Sequence, residues 1–328
     1  MTLELDVTGR RILLRGCNDR TAALAVNLLS QGAVVGVDAG QLTTAVADLL
    51  ARGLISQAEG ANYGEFDLII GVDTRATMNS VSRDVGKVTL VGGGPGNSGL
   101  ITLAGWDALQ RADVIVFDRL APLSLLQDLP ARLIDVGKMP HGQQTAQEAI
   151  NELLVAEAGK GLRVVRLKGG DSFVFGRGSE EWQACTDAGV AVEVIPGVSS
   201  AIAAPELAGI PVTHRGLAQG FTVVSGHVPP GDPRCMLDWP ALARAGTTLV
   251  VLMGVKNLGP IAAALIEHGM ADTTPAAVVS DAGLLSQKIV KGPLADIAGA
   301  ASLAGINPPA VTIIGDVAGL DLGSVQAT

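Results

Sequence analysis

Three loops rich in small residues are the parts of this sequence best suited to holding a ligand. Residues 91–97 read VGGGPGN, residues 167–181 read LKGGDSFVFGRGSEE and residues 196–200 read PGVSS. Glycine lets a bound group approach the backbone closely, and the second loop adds an acid and two bases that can meet its polar groups. We expect the three loops to line one cleft.

Apolar runs place these loops at the ends of buried strands. Runs of Val, Leu and Ile precede each loop and alternate with helix-length segments, which is typical of a mostly parallel sheet. The predicted strands lie within residues 87–94, 112–118, 131–137, 162–170 and 190–197, and a last α/β unit has strands within 221–226, 247–254, 276–280, 289–294 and 310–317. Open α/β sheets bind ligands at the carboxyl ends of their strands, which is where the three loops fall.

The first 75 residues form a separate βαβ pattern that lacks the features of a dinucleotide site. Its strands are expected within residues 10–16, 32–38 and 66–73, with a helix at 21–32. A phosphate cradle needs several glycines after the first strand, but the turn holds only Gly16, and Asp19 would place a carboxylate near the phosphates. Asp38 lies at the right distance for a ribose contact. We expect a structural module without NAD, followed by a polar linker at 75–86.

Composition excludes several classes of function. The chain has 328 residues and a net charge of −9, so it lacks the basic surface that nonspecific binding to nucleic acid or anionic membranes requires. Its apolar stretches are far shorter than the roughly 18 residues that span a bilayer, and we expect a soluble, cytoplasmic protein. Cys17, Cys185 and Cys235 are widely separated, which predicts free thiols and no metal site.

The order of the motifs resembles one enzyme family. VGGGPGN, ADVIVFDRL, VGK, VVRLKGGDSFVFGRGSEE, VIPGVSSAIAAPELAGIPVTHRG, SGH, TTLVVLMG and VTIIGDV are similar to the motifs of S-adenosylmethionine-dependent uroporphyrinogen-III C-methyltransferases. These are tetrapyrrole methylases that also form the C-terminal half of siroheme synthase. The resemblance covers roughly residues 86–320. The preceding part looks like a shortened, glycine-poor remnant of the NAD-dependent half of siroheme synthase.

The resemblance implies a fold and a reaction. The fold is α/β: a two-domain tetrapyrrole methylase with a cleft between its domains, preceded by a small truncated Rossmann-like module. We expect the module at 1–80, a linker at 81–86 and methylase subdomains at 87–212 and 213–328. The implied reaction transfers two methyl groups from S-adenosylmethionine to C-2 and C-7 of uroporphyrinogen III, giving precorrin-2 for siroheme or cobalamin synthesis. A homodimer is also expected.

The resemblance further assigns roles to individual residues. Asp118 matches a proton acceptor and Lys138 a proton donor, although Asp118 could instead cap a helix and Lys138 could only clamp the substrate. Because the substrate carries several carboxylates, Arg119, Arg177 and Arg215 in the matching motifs are expected to bind it. The residues expected around S-adenosylmethionine are Pro95, Gly169, Gly170, Asp171, Val174, Ser199, Ser200, Met253 and Ala282.

Some positions depart from the family pattern. Asn97 replaces an Asp and could cap the following helix, and Ser172 replaces a Pro, which loosens its loop. Met139 replaces an Arg and removes one possible substrate cation, while Ala282 stands where a Gly is usual and its methyl group could press on the cofactor. These departures leave both proposed proton-transfer residues in place.

Three alternatives compete with this interpretation. The first is a methylase that acts later on the corrin ring. The second is an NAD-dependent dehydrogenase in the N-terminal module, as in a bifunctional siroheme synthase, which the missing glycines disfavour. In the third, residues 1–80 are only an interaction module, for example part of a dimer interface.

Overall fold

The computed structural model describes residues 6–17, 21–58, 63–72, 86–137, 146–320 and 322. The chain divides into two compact units, Met1–Ser82 and Arg83–Thr328. All but one residue of the predicted linker at 75–86 lies outside the described residues. Within the described part, no helix is both long and apolar enough to cross a membrane.

The first unit contains a four-stranded parallel sheet. Its elements are β1 (Arg11–Arg15), α1 (Thr21–Ser30), β2 (Val34–Asp38), α2 (Thr44–Ala51), β3 (Ser56–Gln57) and β4 (Leu68–Gly71). The strand order is β3-β2-β1-β4, which matches the first four strands of the Rossmann order 3-2-1-4-5-6. The three predicted strands and the helix α1 are confirmed. Helix α2 and the two-residue strand β3 were not predicted, because segments this short carry too little apolar periodicity.

Gly16 has a packing role in this unit. Its φ is +98°, and a Cβ placed on it would lie 2.4 Å from the carbonyl oxygen of Val72. A cavity of about 590 Å³ lies beside it at the carboxyl ends of β1, β2 and β4, and Asp38 and Gly71 are among its lining residues. The crossing of the chain over Val72 therefore accounts for the glycine without a cofactor. Asp19 lies outside the described residues.

The first sheet of the second unit is entirely parallel. Its elements are β5 (Lys87–Gly92), α3 (Leu103–Arg111), β6 (Val114–Phe117), β7 (Arg132–Asp135), α4 (Gln147–Ala158), β8 (Arg163–Lys168), α5 (Gly178–Asp187) and β9 (Ala191–Ile195). The strand order is β7-β6-β8-β5-β9. Alternate residues of each strand face opposite layers. Val164 on β8 packs with the α4 and α5 side, and Val165 packs with the α3 side.

The second sheet is mixed. Its elements are α6 (Ser200–Leu207), β10 (Phe221–Ser225), α7 (Trp239–Arg244), β11 (Thr248–Leu252), α8 (Leu258–Glu267), β12 (Pro275–Ser280), β13 (Lys288–Pro293), α9 (Ile297–Leu303) and β14 (Ala310–Ile314). The order is β10-β11-β14-β12-β13, in which only β10 and β11 pair in parallel. Helix α6 belongs by sequence to the predicted 87–212 subdomain, yet Ala201 and Ala204 pack into the core of this second sheet. The predicted boundary at 212/213 stays a prediction.

The segment after the first glycine-rich loop does not begin its helix at Asn97, where a cap was expected. A short 3-10 turn, Ser98–Leu100, comes first, and the Asn97 side chain accepts a hydrogen bond from Gly99 N. Ile101 and Thr102 are then extended, and Thr102 caps α3 by accepting from Gly105 N at 3.1 Å. Asn97 therefore caps the turn, whereas the helix begins later with Thr102 as its N-cap, because the extended residues Ile101 and Thr102 separate the two segments.

Candidate active site

The three glycine-rich loops meet at the carboxyl ends of β5, β8 and β9. Gly94 and Gly170 exchange two backbone hydrogen bonds, with N–O distances of 2.6 and 3.1 Å. The third loop joins them because Gly197 N donates to Asp171 Oδ2 at 3.0 Å. The prediction that these loops lie together is confirmed.

Two kinds of glycine occur where the loops meet. A Cβ on Gly197 would lie 2.4 Å from Gly170 O, and one on Gly169 would lie 2.5 Å from Leu120 O. These two glycines are required because backbone segments touch there. Gly170 is different: its φ is +65°, and its missing Cβ would meet only Ser200, at 3.4 Å from Oγ. Gly170 is itself buried, so glycine here provides the positive φ rather than relieving a backbone clash.

Backbone strain is concentrated in the loops of the candidate site. Within the described residues, five non-glycine residues have a positive φ, and four of them are Phe175, Arg177, Met253 and Asp281. Phe175 and Arg177 follow β8, Met253 follows β11 and Asp281 follows β12. Such conformations cost about 1–3 kcal/mol each and are found mainly at functional sites. The strained residues therefore favour a functional role for the loops that follow β8, β11 and β12.

Several residues predicted to bind the cofactor hold the loops in shape. Asp171 accepts from Phe173 N at 2.8 Å through Oδ1, in addition to its bond from Gly197 N. Ser199 caps α6, its Oγ accepting from Ala201 N at 3.3 Å. Pro95 and Ser200 are partly buried in the loops, and Val174 is 37% exposed.

The second sheet contributes two further predicted cofactor residues, which have different surroundings. Met253 is 49% exposed at the end of β11. Ala282 is only 8% exposed and packs with Ala201 and Ala204 in the core of the second sheet. A methyl group at 282 is therefore accommodated by packing, and contact of either residue with a cofactor stays a prediction.

The loop after β12 brings the second sheet against the first glycine-rich loop. A Cβ on Gly283 would lie 3.2 Å from Asn97 Cβ, and a Cβ on Gly96 would lie 3.4 Å from the Leu284 side chain. Gln287 fixes this loop, since its Oε1 accepts from Gly283 N at 2.8 Å and its Nε2 donates to Leu207 O at 3.1 Å. The candidate site thus lies where the loops of the two sheets meet.

Asp118 lies at the carboxyl end of β6 with both carboxylate oxygens engaged. Oδ1 accepts from Leu120 N at 3.0 Å, and Oδ2 accepts from Arg166 Nη2 at 2.9 Å. The side chain is 28% exposed. The next helical segment is a 3-10 helix whose N-cap is Pro122. Asp118 therefore stabilises a turn rather than capping a helix, and its carboxylate stays accessible.

Sequence reasoning missed the buried charges behind Asp118. Arg166 and Lys168 lie on β8, and both bond to Glu181 of α5, whose side chain is fully buried. Burial lowers the pKa of Lys168, and the neighbouring Arg166 lowers it further, while Glu181 opposes the shift. The signal that could have revealed them is a pair of basic residues, two apart, in an otherwise apolar strand.

The predicted proton donor and substrate cations have separate surroundings. Lys138 lies outside the described residues. Arg177 bonds to both carboxylate oxygens of Glu180, at 2.9 and 2.7 Å, and this pairing raises its pKa. Arg119 is exposed beside Asp118 in the chain, and Arg215 is exposed in the segment between α6 and β10. No cluster of three or more metal-ligating side chains occurs among the described residues.

The fold and the loops define an α/β enzyme with its site at the ends of two sheets. A family model described as Tetrapyrrole (Corrin/Porphyrin) Methylases matches residues 87–298, and the chain belongs to this family. The family resemblance and the α/β fold inferred from the sequence are confirmed.

Two relatives show how far the likeness extends. The chain is 45% identical over 239 residues to an S-adenosyl-L-methionine-dependent uroporphyrinogen III methyltransferase of Methanosarcina barkeri, covering 72% of this chain and 94% of that protein. It is 41% identical over 277 residues to siroheme synthase 1 of Yersinia pseudotuberculosis, covering 84% of this chain. The matched region spans about half of that synthase, 55% of its length.

Solved structures agree with the assignment. A uroporphyrin-III C-methyltransferase of Thermus thermophilus in complex with S-adenosylhomocysteine has a TM-score of 0.60 and 40% identity, covering 71% of this chain and 98% of that one. A cobalt precorrin-4 methyltransferase has a TM-score of 0.65 and 25% identity, covering 74% of this chain and 99% of that one. These neighbours are methyltransferases, a class of transferase.

Proposed function

We propose that this protein transfers two methyl groups from S-adenosylmethionine to C-2 and C-7 of uroporphyrinogen III, giving precorrin-2 for siroheme or cobalamin synthesis. The observation that carries the proposal is the 45% identity to the Methanosarcina barkeri enzyme across 94% of its length. The likeness to siroheme synthases covers only about half of those proteins, so it supports the methyl transfer and not their remaining activities.

The residues at the loops suit S-adenosylmethionine as the methyl donor. When bound, it supplies an electrophilic methyl group on a sulfonium. Gly170 takes φ +65° in the loop after β8 with Ser200 beside it, and we place the ligand against this loop. Met253 and Val174 add partly exposed apolar side chains. Backbone groups can meet the polar ends of such a ligand while these side chains contact its apolar parts.

Asp118 is the proposed proton acceptor. Methyl transfer to a pyrrole carbon places positive charge on the ring, and a proton must then leave. Asp118 is an accessible carboxylate, and each of its oxygens accepts one hydrogen bond from the described residues, which leaves each a lone pair for the substrate. Lys138 is the proposed proton donor, and Arg119, Arg177 and Arg215 are the proposed partners of the substrate carboxylates, with Arg177 already shared with Glu180.

The test of the reaction is product analysis. The purified chain is incubated with S-adenosylmethionine and uroporphyrinogen III in the absence of oxygen, and the molecular mass of the product is measured by mass spectrometry. We expect a doubly methylated tetrapyrrole. A chain that ignores uroporphyrinogen III but methylates a precorrin would be a later corrin-ring methylase instead.

The test of Asp118 is a conservative substitution. Asp118→Asn keeps an oxygen for the bond from Leu120 N but removes the base, so turnover should fall by about 10² or more while S-adenosylmethionine affinity is nearly unchanged. Asp113→Asn is the matched control, because Asp113 precedes β6 at its other end and pairs with Arg163 at 2.8 Å. Normal specific activity in a destabilised Asp118→Asn protein would leave Asp118 with a structural role only.

A further inference from the structure

A buried group of charged side chains lies directly behind Asp118. Arg166 and Lys168 on β8 and Glu181 on α5 have side chains that are 3%, 5% and 0% exposed. Together with Asp118 they form the charged cluster, which contains two cations and two anions. Burying a charged side chain costs free energy unless the charge is paired and hydrogen-bonded. A cluster of this kind therefore suggests a role other than stabilising the fold.

Every nitrogen of the Arg166 guanidinium has a partner. Nε donates to Glu181 Oε1 at 3.0 Å, Nη1 donates to the carbonyl oxygen of Leu167 at 3.0 Å, and Nη2 donates to Asp118 Oδ2 at 2.9 Å. Because the guanidinium is planar and its donors are in fixed directions, the first two bonds determine where Nη2 points. The direction of Nη2 in turn fixes one oxygen of Asp118.

Glu181 is itself held from the other side. Lys168 Nζ lies 3.0 Å from both Glu181 oxygens, and Gln147 Nε2 donates to Oε1 at 3.2 Å. Gln147 belongs to α4, so the Glu181 carboxylate is hydrogen-bonded by residues of two other elements, α4 and β8. The cluster therefore forms a chain of contacts from α4 and α5 through Arg166 to Asp118.

A second ion pair joins the same two strands and shows what a purely structural link requires. Arg163 on β8 bonds to Asp113 through Nε at 3.1 Å and Nη2 at 2.8 Å, and its backbone N donates to Asp113 at 2.8 Å. Both side chains are about one-third exposed. An ion pair can therefore link β8 to the segment beside β6 at a partly exposed position, without further buried charged side chains around it. Among the described residues of β8, the buried charges Arg166 and Lys168 lie toward its carboxyl end, which is the end of the sheet where Asp118 follows β6.

We propose that Arg166 is a positioning residue for Asp118, and that Glu181 and Lys168 set the orientation of Arg166. This inference rests on the proposed function of Asp118 as proton acceptor. With Oδ1 held by Leu120 N and Oδ2 by Arg166, the carboxylate has one orientation, in which it is presented to the substrate. Preorganisation of a catalytic group lowers the barrier because its geometry is set before the reaction begins.

The test is a double-mutant cycle on the full chain. Arg166→Met, which keeps much of the side-chain length, should lower kcat about 10- to 100-fold and change the KM for S-adenosylmethionine less than about 3-fold. In an Asp118→Asn background the same substitution should lower kcat by less than about 3-fold further, since the group it positions is already gone. Arg163→Met is the matched control and should leave kcat unchanged.

The outcomes separate the possibilities. Multiplicative losses in the double variant would overturn the inference, because Arg166 would then act independently of Asp118. An unchanged kcat in Arg166→Met would also overturn it. If Arg166→Met does not fold, Arg166→Lys decides by the same two comparisons, since one ammonium cannot reproduce three fixed bonds. Failure of the unsubstituted chain to methylate uroporphyrinogen III would instead contradict the proposed function.

Discussion

Gly170 gives the sharpest test of the cofactor site, because its substitution has two separable effects. Gly170→Val forces a β-branched residue to φ +65°, which costs about 1–2 kcal/mol of stability or slightly more. The new Cβ itself meets Ser200 Oγ at 3.4 Å, an ordinary contact, so no severe clash within the protein is added. A domain stable by about 5–15 kcal/mol should survive this change.

The second effect is on the ligand. A valine at 170 adds bulk to the loop where we place S-adenosylmethionine, so we expect the ligand to move or lose its backbone contacts. We expect its affinity to fall at least about 100-fold, which corresponds to about 2.8 kcal/mol. The assay is titration calorimetry with S-adenosylmethionine, with urea unfolding measured on the same preparation.

A matched control separates strain from ligand contact. Gly189 has φ +71° with open space around its missing Cβ, and it lies before β9, at the opposite end of that strand from the loops. Gly189→Val should lose similar stability and keep full affinity. Unchanged affinity in a folded Gly170→Val protein would refute the placement of the cofactor at this loop.

Three further predictions concern other parts of the chain. Ser172 Oγ is buried without a hydrogen-bond partner among the described residues. Ser172→Ala should therefore raise the free energy of unfolding, measured by urea titration, by about 1 kcal/mol. A decrease of the same size would contradict this reasoning. Burial raises the pKa of Cys185 to about 11, so at pH 8 only about 10⁻³ of it is thiolate. Iodoacetamide should therefore label the partly exposed Cys17 and Cys235 first, as peptide mass spectrometry can check. The chain should not bind NAD or oxidise precorrin-2, and saturable NAD binding in calorimetry would reveal a second active site. A chain beginning at Val85 should retain methyl transfer.

The homodimer also stays a prediction. It can be checked by native mass spectrometry of the full chain and of the chain beginning at Val85. Loss of the dimer only in the shorter chain would support the interaction-module alternative for residues 1–80.

Strand positions were predictable from the sequence because each strand lies in a run with several apolar residues. All ten described strands of the second unit lie within one residue of a predicted run, including the largely exposed edge strands β7 and β13, whose runs also hold charged residues. Strand direction was not predictable in the same way. Strands β12, β13 and β14 pair antiparallel, and an apolar run reads the same in either direction.

Local signals also left the helix starts open. Asn97, Ser98 and Thr102 can all cap a helix, and the choice depends on where the chain turns after β5. In the structure Thr102 caps α3 because Ile101 and Thr102 are extended.

The loop motifs determined the family and the place of the site, because glycines and small residues at strand ends are local requirements of close backbone approach. Tertiary structure decided what each residue does there. Gly169 is needed for contact with Leu120, whereas Gly170 is needed for its φ of +65°. Arg166 and Glu181 are 15 positions apart in the chain, and only the packing of α5 on β8 brings them within 3.0 Å and buries them together. Burial and pairing are properties of that packing, which the spacing of the residues along the chain does not reveal.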